Sequence, residues 1–297
     1  MINHFGDQLV KKIRHTKSFL CLGIDPHLDL IPKIFEAKSS RVEKVKNFCF
    51  SILDVATNKV AAIKPQIAFF EQLGPEGMKL LSELCLFARS KGFLVIMDAK
   101  RGDIGSTSQA YANTFLGEDA PYPSDALTIN PWLGLDSLEP FFQKVKETGC
   151  GLFILVHTSN PGAKDLQEQI TIGNKKIYEI LIDKLNPIIN KNIGKNNLSS
   201  IGIVTGATYP TELKLIRKKL FHAPFLIPGY GKQGGSIDDA KLGLLPDKKY
   251  KNKFNSGIIN SSRDLCFPIC ANSCNDIKSW KKEIYKNLEE NISNLHL

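Results

Sequence analysis

The sequence predicts an α/β protein built as one (β/α)8 barrel with an extra helix at its amino end. Three observations support this prediction. Eight short apolar runs recur along the 297 residues, amphipathic segments separate them, and polar or charged residues follow the runs. Repeated strand-then-helix units favour a closed barrel, and an open doubly wound sheet is the alternative. We expect residues 1–297 to form a single domain.

The eight apolar runs are the predicted strands, because each is short and bounded by turn-forming or polar residues. They cover residues 19–24, 61–63, 93–97, 126–129, 152–156, 201–204, 225–227 and 257–259. Apolar residues three and four apart predict amphipathic helices between them. The clearest of these cover residues 42–57, 70–90, 135–147 and 211–220, and residues 2–13 form the extra leading helix.

Composition narrows the classes of function. The chain has 39 lysines and arginines against 30 acidic residues, a net charge of +9, which suits an anionic substrate or a nucleic acid. The lysine clusters contain few aromatic residues, so we expect no nucleic-acid partner. A basic RNA-binding protein is the alternative function from another class of proteins.

Seven scattered cysteines favour a reducing compartment, the cytoplasm. No apolar run approaches the ~20 residues of a membrane span, so no membrane partner is expected.

The most informative motif is Asp-Ala-Lys-Arg-Gly-Asp at residues 98–103, directly after the third apolar run. Asp98 and Lys100 are two residues apart, so they point the same way on an extended backbone. Asp103 lies beyond the Arg-Gly turn and need not share their face. A salt-bridged strand end is the alternative interpretation, because motifs this short also match by chance.

Charged residues also end the first two strands, where Asp25 and Lys64 stand. Active sites of barrels lie at the carboxyl ends of the strands, so these two residues are expected to meet Asp98 and Lys100 in one alternating array. Opposite charges at short range favour both ionised forms. The lysines should therefore stay protonated, and a protonated lysine can act as a general acid.

A phosphate grip is predicted at the seventh and eighth strand ends, where residues 228–235 form a glycine-rich loop and Arg263 follows the last strand. The glycines in question are Gly229, Gly231 and Gly234. Glycines let backbone N–H groups approach an anion, Arg263 offers a bidentate fork, and Gln233 adds an amide donor. A tight turn with an unrelated surface arginine is the alternative.

Five motifs together closely resemble the orotidine 5′-monophosphate decarboxylase family, in its longer-chain branch. They are Gly-Ile-Asp-Pro at 23–26, Ile-Lys-Pro at 63–65, Asp-Ala-Lys-Arg-Gly-Asp-Ile-Gly-Ser-Thr at 98–107, Thr-Ser-Asn-Pro at 158–161 and the loop 228–235. The resemblance implies a (β/α)8 homodimer that converts orotidine monophosphate to uridine monophosphate and carbon dioxide. It also implies that no metal and no organic cofactor take part.

The resemblance assigns roles to the catalytic residues by position. Lys100 would donate the proton to C6 of the pyrimidine, and Asp98 and Lys64 would belong to the charge array. Asp103 and Thr107 would reach into the pocket of the partner subunit.

Substrate-binding roles follow in the same way. Asp25 would contact the ribose, Ser159 would hold the pyrimidine, and Ile104 would form a wall of the pocket. Gln233 and Arg263 would bind the phosphate together with the loop backbone.

The nearest enzymatic alternative is a sugar-phosphate decarboxylase of the same superfamily, which uses Asp-x-Lys-x-x-Asp but binds magnesium through an acidic residue at the second strand end. This chain has Lys64 there, and an ammonium would repel a divalent cation. The chain departs from shorter family members at residues 164–199, an Asn- and Lys-rich segment to which the sequence assigns no role.

Overall fold

Eight parallel strands close into a barrel in which each strand pairs with the next and β8 pairs with β1. The computed structural model describes residues 3–36, 40–230, 234–247, 249 and 254–296. The strands are β1 (Leu20–Ile24), β2 (Ala62–Pro65), β3 (Leu94–Arg101), β4 (Ala126–Ile129), β5 (Gly151–His157), β6 (Ile201–Thr205), β7 (Phe225–Ile227) and β8 (Gly257–Ser261). The predicted (β/α)8 barrel is confirmed, and each predicted strand overlaps an observed one.

Helices surround the barrel and follow its strands. They are α1 (Phe5–Thr16), α2 (Arg41–Ala56), α3 (Ala68–Glu71), α4 (Pro75–Ser90), α5 (Gly105–Phe115), α6 (Glu139–Thr148), α7 (Ala163–Leu166), α8 (Ile177–Lys191), α9 (Pro210–Lys219), α10 (Ile237–Lys241), α11 (Arg263–Cys266), α12 (Ile269–Asn272) and α13 (Ile277–His296). The helix predicted over residues 70–90 is two helices, because Gly74 adopts a left-handed φ of 72° and Pro75 starts the second. No helix of the described residues is long and apolar enough to cross a membrane.

The predicted extra leading helix is α1, and it covers the amino-terminal end of the barrel. Phe5 packs edge-on against Phe153 of β5, with ring centroids 5.8 Å apart. A side chain at Gly151 would strike the ring of Phe5, so only glycine fits at this close approach. The amphipathic face of α1 therefore seals one end of the core and leaves the other end for the site.

The third strand runs farther than predicted, to Arg101, and its pairing with β4 shifts register between Met97 and Arg101. Lys100 has a left-handed backbone with φ of 47°, which is uncommon for a residue with a side chain. A bulge of this kind re-aims the side chains that follow it, here at the mouth of the barrel.

Candidate active site

Lys64, Asp98 and Lys100 form a continuous chain of charges at the carboxyl ends of β2 and β3. The Lys64 ammonium lies 2.7 Å from Oδ2 of Asp98, and the Lys100 ammonium lies 2.5 Å from Oδ1. The side chains of Lys64 and Asp98 are only 6% and 9% exposed, whereas that of Lys100 is 47% exposed. One carboxylate thus holds a buried ammonium on one side and an accessible ammonium on the other.

The neighbours of these groups keep Lys64 and Asp98 ionised. Burial alone would lower the pKa of Lys64, but the charges of Asp98 and Asp25 outweigh it and raise the pKa above its ordinary value. Burial alone would raise the pKa of Asp98, but Lys64 and Lys100 outweigh it and hold that pKa well below its ordinary value. The predicted charge states of these two residues agree with these shifts.

Thr128 of β4 supports the bulge that carries Lys100. Its hydroxyl oxygen accepts hydrogen bonds from the backbone N–H groups of Ala99 at 3.0 Å and Lys100 at 2.9 Å. The same oxygen lies 3.1 Å from Oδ1 of Asp98, to which the hydroxyl can donate. A single side chain therefore ties the unusual backbone of Lys100 to the carboxylate that binds its ammonium.

The charge chain lines a cavity of about 410 Å³ at the barrel mouth. Its polar lining includes Asp25, Lys64, Asp98, Lys100, Thr128, Thr158, Ser159, Asn160 and Asn260. The structure thus brings together four members of the predicted array, together with the predicted pyrimidine contact Ser159. Residues from β1, β2, β3, β5 and their loops converge here although they are far apart in sequence.

A second, smaller cavity of about 90 Å³ adjoins the first, and Asp25, Pro228 and Asn260 line both. Gly229 and Arg263 also line the smaller cavity. Oδ1 of Asp25 and Oδ1 of Asn260 are buried without a hydrogen-bond partner among the described residues. Buried acceptors need a donor, so the junction of the cavities is suited to ligand hydroxyl groups.

Two glycines of the glycine-rich loop adopt a backbone conformation that favours glycine. Gly229 and Gly234 have left-handed φ values of 93° and 95°. Gly231 and Gln233, two predicted phosphate contacts, lie outside the described residues. The short helix α10 follows this loop, and the hydroxyl of Ser236 caps it by accepting from the N–H of Asp239.

Four described residues of the predicted site, namely Asp103, Ile104, Thr107 and Gly234, line neither of the two cavities at the barrel mouth. Asp103 accepts a hydrogen bond from the backbone N–H of Ile104 at 2.7 Å, just before α5. The side chain of Ile104 is 61% exposed, and Thr107 is exposed on the first turn of α5. The predicted roles of Asp103 and Thr107 in a partner subunit's pocket, and of Ile104 as a wall of the pocket, stay predictions.

Sequence reasoning missed Thr128 and Asn260 as site residues. Thr128 is the single polar residue of β4 and Asn260 is the first polar residue of β8, and a polar residue inside an apolar run is the signal that could have found them. Among the described residues, no group of three or more histidine, cysteine, aspartate or glutamate side chains is arranged to hold a metal ion.

Comparison with known proteins decides the family. The profile of the orotidine 5′-phosphate decarboxylase/HUMPS family matches residues 18–266. The chain belongs to this family. It is 39% identical to the orotidine 5′-phosphate decarboxylase of Rhodopirellula baltica over 273 residues, which cover 89% of this chain and 88% of the relative. The family predicted from the motifs is therefore confirmed.

Further relatives have similar lengths and the same fold. The orotidine 5′-phosphate decarboxylase of Caldicellulosiruptor bescii is 34% identical over 310 aligned positions, which cover 99% of each chain. The solved orotidine monophosphate decarboxylase of Leishmania donovani superposes with a TM-score of 0.71 at 29% identity, covering 98% of each chain. The enzyme class predicted from the motifs, a carboxy-lyase, is the class that these relatives' names carry.

Proposed function

We propose that the protein decarboxylates orotidine 5′-monophosphate to uridine 5′-monophosphate and carbon dioxide, the last step of de novo pyrimidine synthesis. The observation that carries the proposal is the chain of Lys64, Asp98 and Lys100 in a cavity that adjoins an arginine-lined cavity. The larger cavity suits a charged heterocycle, and the smaller one suits a phosphate. Membership of the family supports the same reaction.

Lys100 is the proposed proton donor. When carbon dioxide leaves, the bond between C6 and the carboxylate carbon breaks, and its electron pair stays on C6 in the plane of the ring. The ring cannot delocalise this pair, so a preorganised positive charge beside C6 must stabilise it. The Lys100 ammonium then gives a proton to C6, and the resulting amine regains a proton from water.

Asp98 and Lys64 are proposed to hold that ammonium ready. Asp98 binds Lys100 through one oxygen and the buried Lys64 through the other. Because Lys64 is buried and charged, it favours the ionised form of Asp98 and keeps the carboxylate in place. The charges are arranged before the substrate binds, so little reorganisation is needed during the reaction.

The smaller cavity is proposed to bind the substrate phosphate. Arg263 and the backbone at Gly229 line it, and Gly231, Gly234 and Gln233 are proposed to complete the grip. The phosphate lies far from C6, so its binding energy can be used to order the loop and to orient the pyrimidine.

We also propose a homodimer in which Asp103 and Thr107 of each chain complete the partner's pocket. Trp132 and Leu133, in the loop that follows β4, and Ile104 are large apolar residues that are exposed in the single chain. Exposed apolar residues of this kind support a surface that a partner subunit covers in the proposed dimer. In such a dimer, Asp103 and the wall residue Ile104 would reach the active site of the partner subunit. Neither residue lines the two cavities at the barrel mouth of its own chain.

Residues 1–297 are proposed to act as one domain, because all eight strands belong to a single barrel. A reducing cytoplasmic location is proposed on the basis of seven cysteines that are all free.

A spectrophotometric assay with orotidine monophosphate, with and without a chelator, tests the proposed reaction. We expect turnover that the chelator leaves unchanged, because Lys64 stands where the magnesium-dependent alternative has an acidic ligand. Turnover that disappears with the chelator would favour the alternative, and no turnover in either condition would reject the decarboxylation.

A further inference from the structure

Residues 163–176 form an outer segment between β5 and α8, and all of them except Ala163 belong to the region 164–199 to which the sequence assigned no role. The segment contains α7 and a turn closed by bridge pairing between Ile170 and Lys176. It lies beside residues 158–160, which line the larger cavity. We call residues 158–160 the β5 wall.

Gln167 of the outer segment contacts the β5 wall with both ends of its side-chain amide. Its Oε1 accepts a hydrogen bond from the backbone N–H of Thr158 at 2.8 Å. Its Nε2 donates to the hydroxyl oxygen of Thr158 at 2.9 Å. Because a backbone N–H can only donate, the first contact fixes the orientation of the amide, and the second follows from it.

The hydrogen-bond chain continues into the cavity lining. The hydroxyl of Thr158 donates to Oδ1 of Asn160 at 2.7 Å, so the donor direction runs from Gln167 through Thr158 to Asn160. Ser159 lies between the two bonded residues. On the other side of the wall, the backbone oxygen of Ser159 accepts from the hydroxyl of Thr208 at 3.1 Å. The wall is held from two directions, and Gln167 is the contact on the outer side.

From this geometry we infer that Gln167 is a positioning residue, which holds the β5 wall and thereby sets the place of Ser159 against the pyrimidine of the substrate. The inference rests on the proposed function, because Ser159 binds the pyrimidine only in that proposal. Gln167 itself does not line the cavity, so it acts through Thr158. The outer segment thus contributes to recognition of the base without touching it.

The outer segment stays attached to the barrel without the Gln167 side chain. Glu168 lies 3.2 Å from Nε2 of the buried His157 and 3.3 Å from the ammonium of Lys176. The backbone oxygen of Gln167 accepts from the N–H of Tyr178 at 3.0 Å, and this bond does not involve its side chain. Truncation of Gln167 is therefore expected to free the β5 wall and leave the fold intact.

The test measures binding of two ligands by calorimetry to the wild type, Gln167→Ala and Gln169→Ala. Gln169 is the matched control, because it lies on the same segment but does not contact the β5 wall. Among the described residues, its side-chain amide donates one hydrogen bond, to the backbone oxygen of Lys164 at 2.9 Å. Uridine monophosphate contains the pyrimidine, whereas ribose 5-phosphate contains only the sugar and phosphate.

We expect Gln167→Ala to weaken uridine monophosphate about tenfold, the change that loss of two ordinary hydrogen bonds produces. Its affinity for ribose 5-phosphate, and both affinities of Gln169→Ala, should stay within about twofold of wild type. Unchanged binding of uridine monophosphate by Gln167→Ala, or equal losses for both ligands, would overturn the positioning role. A wild type that neither binds uridine monophosphate nor decarboxylates its precursor would instead overturn the proposed function and this inference with it.

Discussion

Two of the Lys–Asp–Lys charge chains among the described residues have the same residue types and different surroundings. At the barrel mouth, Asp98 binds Lys64 and Lys100, whereas on the surface Asp183 of α8 binds Lys175 at 2.6 Å and Lys219 at 3.2 Å. The pKa of each aspartate is lowered by its lysines.

The difference between the two chains is access to water. The side chain of Asp183 is 38% exposed, so water screens its charges and stabilises each of them separately. Asp98 and Lys64 are almost fully buried, and each depends on the other for its charged form. Residue types and distances alone therefore do not distinguish the two charge chains, whereas burial at converging strand ends does.

Among the variants that compare the two charge chains, the largest effect is expected from Asp98→Asn. The change leaves Lys64 buried without its main counter-charge and frees the ammonium of Lys100 from its position, so we expect kcat to fall about 10³-fold, which corresponds to about 4 kcal/mol in the activation barrier. Asp183→Asn is the matched control, and its kcat should stay within about twofold of wild type. Steady-state kinetics on both variants measure the difference, and similar small losses would remove the distinction between the two chains.

Arg217 extends the comparison, because among the described residues this buried cation hydrogen-bonds to backbone oxygens and not to a carboxylate. Its guanidinium donates to backbone oxygens of Leu220, Phe221, Ala223, Gly243 and Ser256, at distances between 2.7 and 3.2 Å. Its central carbon also lies 3.4 Å from the ring centroid of Phe225. Burial lowers the pKa of Arg217 well below its ordinary value. This cation joins neighbouring segments of backbone and lines neither of the two cavities of the candidate site.

We expect Arg217→Met to lower the free energy of unfolding by about 3–5 kcal/mol, because five buried oxygens lose their donor. The kcat of the folded fraction should stay within about twofold of wild type. Urea unfolding and the decarboxylase assay measure the two effects. Lys218→Met, at the exposed neighbouring position, should leave the urea midpoint unchanged. A large loss of kcat in Arg217→Met would show that this cation also serves the site.

Thr128→Val tests whether the position of the Lys100 ammonium in the charge chain depends on the bulge that carries this residue. The change keeps the shape of the side chain and removes the acceptor for two backbone N–H groups, so we expect kcat to fall about tenfold. Thr128→Ser keeps the hydroxyl and should recover most of the rate. If Val and Ser variants have equal rates, the hydroxyl does not position Lys100.

The smallest effect is expected from pH. Asp98 has a lowered pKa, so its contribution to stability is complete above about pH 4 and is lost as the pH falls through the folded-state pKa. Lys64 has a raised pKa, so its contribution is complete below about pH 10 and is lost as the pH rises through the folded-state pKa.

Between these limits both groups stay charged. We therefore expect kcat to change by less than about twofold between pH 7 and 9, measured at saturating substrate. A clear ionisation in this range that Lys64→Met abolishes would contradict the charge state assigned to the buried chain.

Much of the barrel and of its charge array follows from the sequence. Apolar runs separated by amphipathic segments predict the strands, and the barrel rule then brings Asp25, Lys64 and Asp98 together. These inferences succeed because burial and periodicity are local properties of the chain.

The remaining features depend on contacts between distant residues. The left-handed backbone of Lys100 is stabilised by Thr128, which lies 28 residues away, and no local pattern indicates this contact. The side-chain amide of Gln167 contacts Thr158 only when the outer segment lies against the end of β5. The split at Gly74 and Pro75 is different, because both residues are helix-breaking signals that the sequence already contains.

Release of carbon dioxide from carboxyl-labelled orotidine monophosphate by Lys100→Ala tests the central claim most directly. Uridine monophosphate binding is measured in parallel as the control for an intact pocket. We predict that turnover falls by at least about 10⁴-fold, because both the proton donor and the nearest positive charge are lost, while the nucleotide still binds. Turnover within about tenfold of wild type would contradict the assignment of Lys100 as the group that stabilises and protonates C6.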